Sequence, residues 1–360
     1  MKRLLDPDSL RALARGCAVL GAGGGGDPYL GLLQALQATE DFGPVQLVDL
    51  DELPGDSLIM PCGGIGAPTV GIEKIQNGDE GARLREHLEF LTGRRVAALM
   101  AAEIGGSNGL LPICWAARMG LPVADADGMG RAFPEVPQVT MHLAGISPSP
   151  AVMTDERGNL VLFQTISGHW MERLERAAAV EFGGVASSTE FSMTAAQARG
   201  ATVRGSVSLV IRIGETIGRA EASPVDALIA ELGAFRLVTG KILDVERRTT
   251  SGFARGSVVV EGLGADAGRL IRLELQNENL VALERGRVLA SVPDLISVLD
   301  SETADAIVTE RIAYGQRVTV IAFACDPVWR TEKGIAVAGP RAFGYEFDYL
   351  PVEELAGATA

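Results

Sequence analysis

The sequence predicts an α/β N-terminal domain with a mostly parallel sheet, followed by a β-rich C-terminal domain that forms a barrel or a sandwich. Three observations support this prediction. The first half alternates short apolar runs with helical patterns, the chain after Phe235 is rich in strands and turns, and 360 residues exceed one ordinary core. We place the α/β domain at residues 1–170, and a helical connection followed by the β-rich domain at residues 171–360.

Two Asp-Pro pairs near the N-terminus are typical of helix starts. The helix after Asp6 is expected to bury one face, which consists of Leu10, Leu13 and Cys17. The helix after Asp27 is expected to turn three leucines inward: Leu30, Leu33 and Leu36.

Short apolar runs predict the strands of both domains. In the first half, helical patterns separate several of these runs, which is typical of a parallel sheet; the runs are residues 45–48, 57–60, 96–100 and 121–124. A β-hairpin is predicted at residues 151–163, and helices are predicted between residues 169 and 232. The clearest strands of the second half are residues 258–260, 270–275, 287–291 and 317–323.

The composition excludes several classes of function. With 32 basic and 46 acidic residues the formal net charge is −14, so nucleic acids and anionic membranes are not expected partners. No run of ~18 apolar residues is present, and the N-terminus lacks the apolar stretch of a signal peptide. The four cysteines are widely spaced, as is usual in a reduced protein. We therefore expect a cytoplasmic protein that acts on a small molecule.

A glycine-rich loop precedes the second helix, where Gly23, Gly24, Gly25 and Gly26 lead into Asp27. Glycines let backbone N–H groups approach a ligand closely, and a helix N-terminus carries about half a positive charge. The loop is therefore a predicted ligand-binding element with a preference for anions, although an N-cap aspartate already satisfies the first amides. It lacks the Lys-Ser/Thr pair of a Walker A loop, and a helix rather than a strand precedes it, which argues against a dinucleotide fingerprint.

Three further loops follow predicted strands. Ligands bind beyond the carboxyl ends of the strands in open α/β sheets, so these loops are expected to meet at one cleft. They offer carboxylates, an amide, cations and backbone donors. The site residues that they contribute are Gly66, Glu73, Lys74, Glu103, Gly105, Gly106, Asn108, Asp125, Asp127 and Arg131.

Several of these residues have an alternative, structural interpretation. Asp125 alternatively caps a turn, and Arg131 alternatively pairs with Asp127. Glu73 and Lys74 together also resemble a solvated helix start. Outside this set, Cys62 lies at a predicted strand end, but no histidine base for a cysteine nucleophile is evident in the sequence.

A set of motifs along the chain resembles one bacterial family. In the N-terminal half the motifs are residues 21–28, 66–68 with 73–74, 103–108 and 125–135. In the C-terminal half they are residues 240–242, 276–280, 293–296 and 339–345. Together they are similar to the S-methyl-thiohydantoin desulfurase family, and the similarity covers nearly the whole chain. The resemblance implies an α/β domain followed by a β-rich domain, and a five-membered cyclic ureide as substrate.

For such a substrate we expect hydrolysis at a ring carbon, as in an S-methyl thiohydantoin that releases a thiol, and we expect no cofactor. Such chemistry requires a carboxylate that activates water and donors for the developing negative charge. Asp127 or Glu103 is the predicted general base. Arg131, Lys74 and the glycine-loop amides are expected to orient the ring and any carboxylate tail, and Asn108 is expected to hold a ring carbonyl or N–H.

The sequence leaves two other functions open. A metal-assisted cyclic amidohydrolase would bind a divalent metal through Asp125, Asp127 and His142. A non-catalytic accessory subunit of a hydantoinase/oxoprolinase system would bind the ligand without turnover. A homo-oligomer is expected in each case, and a hydantoinase/oxoprolinase protein is the expected partner.

Overall fold

A computed structural model describes residues 3–71, 73–220, 222–250 and 253–357. Its strands are β1 (Arg3–Leu5), β2 (Val45–Val48), β3 (Leu58–Gly66), β4 (Val96–Ala101), β5 (Val123–Asp127), β6 (Ala151–Thr154), β7 (Leu160–Phe163), β8 (Val185–Thr189), β9 (Met193–Thr194), β10 (Val203–Arg204), β11 (Phe235–Thr250), β12 (Phe253–Gly262), β13 (Leu270–Gln276), β14 (Glu278–Glu284), β15 (Arg287–Ser291), β16 (Leu295–Asp300) and β17 (Arg317–Phe323). Its α-helices are α1 (Pro7–Leu20), α2 (Pro28–Phe42), α3 (Pro68–Gly71), α4 (Glu80–Thr92), α5 (Leu111–Met119), α6 (Thr140–Leu143), α7 (Gly168–Glu181), α8 (Ala195–Ala201), α9 (Ser206–Arg219), α10 (Pro224–Leu232), α11 (Glu332–Ala338) and α12 (Val352–Gly357).

The first sheet has the strand order β1-β2-β5-β4-β3-β8-β6-β7. Its central strands β2, β5, β4 and β3 are parallel, and antiparallel strands flank them on both sides. This arrangement confirms the predicted α/β domain. The predicted hairpin is also present, because β6 and β7 pair with Ala151 opposite Phe163.

The helix starts behave as the sequence predicts. The carboxylates of Asp6 and Asp27 cap α1 and α2 by accepting backbone N–H groups, at 2.8 Å from Ser9 and 3.0 Å from Tyr29. The predicted apolar face of α1 is fully buried.

The predicted inward face of α2 is wrong at Leu33, which is 45% exposed, whereas Leu36 is partly buried against the core. The buried residues of this helix are Gly31, Ala35 and Ala38. The reason is close packing against the chain that leads into α5, where a side chain at Gly31 would meet Ser107 and Leu110. Small residues are therefore required on this face.

The second sheet has the order β15-β14-β13-β12-β11-β17-β16, and every neighbouring pair is antiparallel. It curls into a half-barrel around its own apolar core, which includes Val238, Val258, Val260, Leu273 and Val320. The β-rich C-terminal domain is thus confirmed, and β15 and β17 have the predicted bounds.

The connection between the two sheets contains α7, α8, α9 and α10, as its helical pattern predicts. The short strands β8, β9 and β10 also lie in this segment and pair with the first sheet. The first sheet therefore takes strands from both sides of residue 170. Within the described chain, no helix is long and apolar enough to cross a membrane.

Candidate functional site

The loops that follow β3, β4 and β5 meet at one cavity of about 290 Å³. They meet because these parallel neighbours end at the same edge of the sheet. Helix α2, strand β8 and the start of β14 add further walls, so both domains contribute. The predicted site residues that line this cavity are Gly25, Gly26, Asp27, Gly66, Lys74, Glu103 and Asn108. The predicted residues that are not among its described lining residues are Gly23, Gly24, Glu73, Gly105, Gly106, Asp125, Asp127 and Arg131.

Backbone hydrogen bonds hold the loops together. The N–H of Ala102 donates to the carbonyl of Cys62 at 2.8 Å, and the N–H of Gly128 donates to the carbonyl of Ala102 at 3.1 Å. The glycine-rich loop joins this set through the carbonyl of Gly25, which accepts from the N–H of Ser107 at 2.9 Å. Gly106 has a φ of +63° and packs directly on Gly25, so only glycine suits this position.

Glu103 is a buried carboxyl at the cavity wall, with 6% of its surface exposed. Its Oε1 accepts a hydrogen bond from Nδ2 of Asn108, and its Oε2 accepts from the N–H of Phe133 at 3.3 Å. The N–H of Gly64 in turn donates to Oδ1 of Asn108 at 2.9 Å, which fixes the orientation of the amide. Burial raises the pKa of Glu103 to about 8, although the hydrogen bonds from Asn108 and Phe133 oppose the shift. Glu103 therefore holds a proton over most of the neutral range.

Glu278 is a second buried carboxyl of the cavity, and it belongs to the other domain. It is 2% exposed, and its Oε2 has no hydrogen-bond partner among the described residues. A side chain on Gly24 would collide with this carboxyl, so the glycine leaves the space that Glu278 occupies. Burial, together with the charge of Glu103, raises the pKa of Glu278 well above its usual range.

Sequence reasoning missed Glu278 as a site residue. Residues 276–280 are one of the motifs that carry the family resemblance, and this motif was the available signal. Its neighbour Asn277 also lines the cavity and has a φ of +58°. Backbone hydrogen bonds between the glycine-rich loop and the second domain place the carboxyl of Glu278 at the cavity. The N–H of Asn279 donates to the carbonyl of Ala22 at 2.8 Å, and the N–H of Thr309 donates to the carbonyl of Gly23 at 2.9 Å.

Asp127 lies behind the loops. Its Oδ2 accepts three backbone N–H groups, from Ile104 at 2.9 Å and from Met129 and Gly130 at 2.8 Å. Burial raises the pKa of Asp127 to about 7 in spite of these donors. The carboxyl thus ties the loop after β4 to the loop after β5.

Arg131 connects the two domains. Its Nε donates to the carbonyl of Ala132 at 2.9 Å, and its Nη1 donates to the carbonyls of Pro293 and of Asp294, the latter at 3.1 Å. The guanidinium also lies 4.2 Å from the centre of the Phe133 ring. Arg131 is fully buried, and its guanidinium donates these hydrogen bonds to main-chain carbonyls rather than to Asp127.

The remaining predicted charged residues have other contacts. Asp125 accepts from the N–H of Ser208 at 2.9 Å and from its hydroxyl, which places it at the start of α9. Glu73 is exposed. Lys74 lines the cavity, but its ammonium pairs with Glu156 at 2.9 Å and donates to the carbonyls of residues 182 and 185.

The glycine-rich loop leads into a helix start that is already capped by Asp27. The second carboxylate oxygen of Asp27 forms an ion pair with Arg311 of the C-terminal domain. Gly25 and Gly26 line the cavity, whereas Gly23 contacts Thr309 and Asn279. The loop therefore joins the two domains and also forms part of the cavity wall.

Two further candidates of the sequence can be placed. Cys62 is fully buried, its thiol donates to the carbonyl of Met60 at 3.4 Å, and burial raises the pKa of the thiol. Within the described residues, no group of three or more His, Cys, Asp or Glu side chains is arranged to hold a metal ion. The metal ligands considered above, Asp125, Asp127 and His142, therefore do not form a cluster.

Fold and site together define a two-domain protein with a small-molecule cavity between an α/β domain and a curled antiparallel sheet. Residues 8–165 match the family model described as the S-Me-THD-like N-terminal domain, and residues 166–352 match the S-Me-THD-like C-terminal domain. The chain belongs to this S-Me-THD-like family, which confirms the family predicted from its motifs.

A solved structure is similar to this chain over almost its full length. The X-ray crystal structure of a protein from Chromobacterium violaceum shares 25% sequence identity with it, with a TM-score of 0.80. The match covers 97% of this chain and 100% of that chain. The comparison with curated proteins gave no significant match.

Proposed function

We propose that the protein hydrolyses a small five-membered cyclic ureide, an S-methyl thiohydantoin, and releases methanethiol. The observation that carries the proposal is the carboxyl pair of Glu103 and Glu278, which faces one cavity from two domains. Membership of the S-Me-THD-like family supports the choice of ring.

In the proposed reaction, water attacks the ring carbon that bears the methylthio group. One carboxylate accepts a proton from this water as the new C–O bond forms, and the second carboxyl donates its proton to the adjacent ring nitrogen. The C–S bond then breaks with its electron pair on the sulfur, the hydroxyl becomes the ring carbonyl, and the hydroxyl proton ends on the sulfur. Proton exchange with water returns the two carboxyls to their starting forms. The products are a hydantoin and methanethiol, so water is the only co-reactant.

The two carboxyls suit complementary roles in this reaction. Burial raises the pKa of both carboxyls, and the charge of Glu103 raises that of Glu278 further, so an ionised Glu103 favours a protonated Glu278. We assign the general base to Glu103 and the general acid to Glu278. The hydrogen bond from Asn108 would hold Glu103 in position, and Asp127 would support the loop.

The test is methanethiol release by the purified protein from S-methyl thiohydantoins with different side chains. Glu103→Gln and Glu278→Gln should each lower turnover by ~10²-fold or more, because each removes a proton-transfer group. The matched control is Glu73→Gln, since Glu73 is exposed and is not among the described lining residues; it should retain full turnover. Full turnover in both folded cavity variants, or no release from any substrate, would overturn the proposal.

We propose further that the reaction needs no cofactor. Turnover should then be unchanged after treatment with a chelator. Loss of turnover that is restored by a divalent metal would instead support the metal-assisted amidohydrolase. The homo-oligomer and the hydantoinase/oxoprolinase partner stay predictions, which size-exclusion chromatography and co-purification can test.

A further inference from the structure

Two cationic side chains, Lys74 and Arg176, are among the described residues that line the cavity, and both are already paired. The ammonium of Lys74 contacts Glu156 and two carbonyls, as given above. The guanidinium of Arg176 forms an ion pair with Glu172 at 2.8 Å and donates to the carbonyl of Pro134 at 2.9 Å. An anionic ligand would therefore have to compete with existing partners for either cation.

A second pair of buried carboxyls lies at the cavity wall. Glu190 lines the cavity and is 7% exposed, and Glu175 lies against it and is fully buried. The structure gives neither carboxyl oxygen of Glu175 a donor among the described residues. Two carboxyls in contact repel each other when both are ionised, so the pair carries at most one negative charge.

The two members of the pair affect each other differently. Burial raises the pKa of both carboxyls, and the carboxylate of Glu172 adds to both shifts. The charge of Glu190 raises the pKa of Glu175 further, whereas the contact with Glu175 lowers the pKa of Glu190. Arg176 is the cation that acts on Glu175, but it forms its ion pair with Glu172. The hydroxyl of Ser188 favours the charged form of Glu190, so Glu190 is the member that carries the charge more readily.

Glu190 thus faces a space whose other walls combine apolar side chains with further carboxyls. The apolar side chains include those of Leu30, Leu111, Val139 and Met141, and the carboxyls are those of Asp27, Glu103, Glu135 and Glu278. Moving an anion into such a space without a free counter-ion is unfavourable, because desolvation is not compensated. Repulsion from a carboxylate already present adds to this penalty. An uncharged ligand avoids both the uncompensated desolvation and the repulsion from a carboxylate.

We propose that the cavity selects uncharged ligands, and that Glu190, with Glu175 behind it, is the specificity-determining residue that excludes an anionic substituent. For the class of ring, this inference rests on the proposed function. It replaces the expectation that Lys74 and Arg131 hold a carboxylate tail, since Lys74 is paired and Arg131 is not among the described lining residues. The substrates are then thiohydantoins with uncharged substituents.

The test uses two hydantoins of nearly equal shape, one with a 2-carbamoylethyl substituent at the ring carbon and one with a 2-carboxyethyl substituent. Hydantoins carry no methylthio group, so their binding can be measured by calorimetry without turnover. The uncharged ligand should bind about tenfold or more tightly than the anionic one at neutral pH. Equal or tighter binding of the carboxyethyl ligand, or no binding of either, would overturn the inference.

Two variants assign the selectivity to Glu190. Glu190→Gln removes the carboxyl at the cavity wall, so it should reduce the preference for the carbamoyl ligand by about threefold or more. Glu175→Gln leaves Glu190 in place as a lone carboxyl, and Glu302→Gln changes an exposed residue, so both should keep the preference. An unchanged preference in a folded Glu190→Gln protein would contradict the role of Glu190, and the wild-type ratio still tests the selectivity if a variant fails to fold.

The selectivity for uncharged ligands and the proposed reaction can fail independently of each other. If no methanethiol is released but the carbamoyl ligand is preferred, the reaction is wrong and the selectivity stands. If methanethiol is released but both ligands bind equally, the reaction stands and the selectivity is wrong.

Discussion

The loops that follow β4 and β5 leave neighbouring strands at the same edge of the sheet, and each carries a buried carboxyl. In the loop after β4, Glu103 lines the cavity and accepts one side-chain and one long backbone hydrogen bond. In the loop after β5, Asp127 accepts three short backbone hydrogen bonds on one oxygen. The first carboxyl faces a space for a ligand, whereas the second is surrounded by the protein's own amides.

The difference shows how two carboxyls with similar sequence context acquire different roles. A carboxyl surrounded by backbone donors fixes the main chain, and its removal leaves those donors unpaired. A carboxyl with few donors at a cavity wall is accessible to a ligand and can exchange a proton with it. The following predictions test this contrast, from the largest expected effect to the smallest.

Removing the carboxyl of Asp127 should have the largest effect on stability. Asp127→Ala should lower the free energy of unfolding by about 3 kcal/mol or more, because three buried N–H groups lose their acceptor. Chemical denaturation measures this change. Asp125→Ala is the matched control and should lower it by only about 1 kcal/mol, since Asp125 serves the start of α9. If the two variants lost the same free energy of unfolding, Asp127 would have no larger part than Asp125 in fixing the main chain.

Replacing the ionisable carboxyl of Glu103 with an amide should instead stabilise the protein at high pH. The folded pKa of about 8 lies above the ordinary 4.5, so this group's contribution to stability is complete below pH 4.5 and is lost as pH rises through 8. Glu103→Gln does not titrate, and its free energy of unfolding should exceed that of the wild type by about 2 kcal/mol at pH 8. The gain should disappear in acid; a difference that is the same at every pH would contradict the assignment of the raised pKa.

The pH dependence of turnover should report the same two carboxyls. Because the base must be ionised, kcat/KM should rise with pH through about 8, by about tenfold per pH unit on the acid side. It should fall again at higher pH as Glu278 loses its proton. In Glu278→Gln the residual rate should keep the rise and lose the fall. A flat profile in the wild type would show that neither carboxyl transfers a proton.

The smallest expected effect concerns the contact that fixes the loop after β5 to the second domain. Trp329 is fully buried, its Nε1 donates to the carbonyl of Met129 at 2.7 Å, and its ring packs edge-on against Phe133. Trp329→Phe should lower the free energy of unfolding by about 1 kcal/mol through the lost hydrogen bond, with kcat nearly unchanged. A large loss of kcat with unchanged stability would place Trp329 in the reaction.

Much of the fold could be predicted because its signals are local. The Asp-Pro pairs mark the starts of α1 and α2, and the apolar runs at residues 287–291 and 317–323 coincide with β15 and β17. The face of α2 could not be predicted, because the close approach of Ser107 at Gly31 depends on tertiary packing. The two-residue strands β9 and β10 are too brief to give a periodic pattern, and β8 consists mostly of small and polar residues rather than an apolar run.

The site could be predicted in part for the same reason. Parallel strands bring their loops to one edge, so the position of Glu103 at a cavity follows from the strand order. Glu278 enters the cavity from the second sheet only after the glycine-rich loop has docked there, which no local pattern shows. The structural contacts of Asp127 likewise depend on amides from two different loops.

The most direct test of the central claim is methanethiol release by Glu103→Gln and Asp127→Asn measured side by side, each checked by thermal unfolding. Asparagine keeps an acceptor for the backbone amides, so the Asp127→Asn protein should fold. The account predicts that Glu103→Gln loses ~10²-fold or more of the turnover while Asp127→Asn keeps most of it. A folded Asp127→Asn protein without turnover, beside a fully active Glu103→Gln protein, would contradict the account.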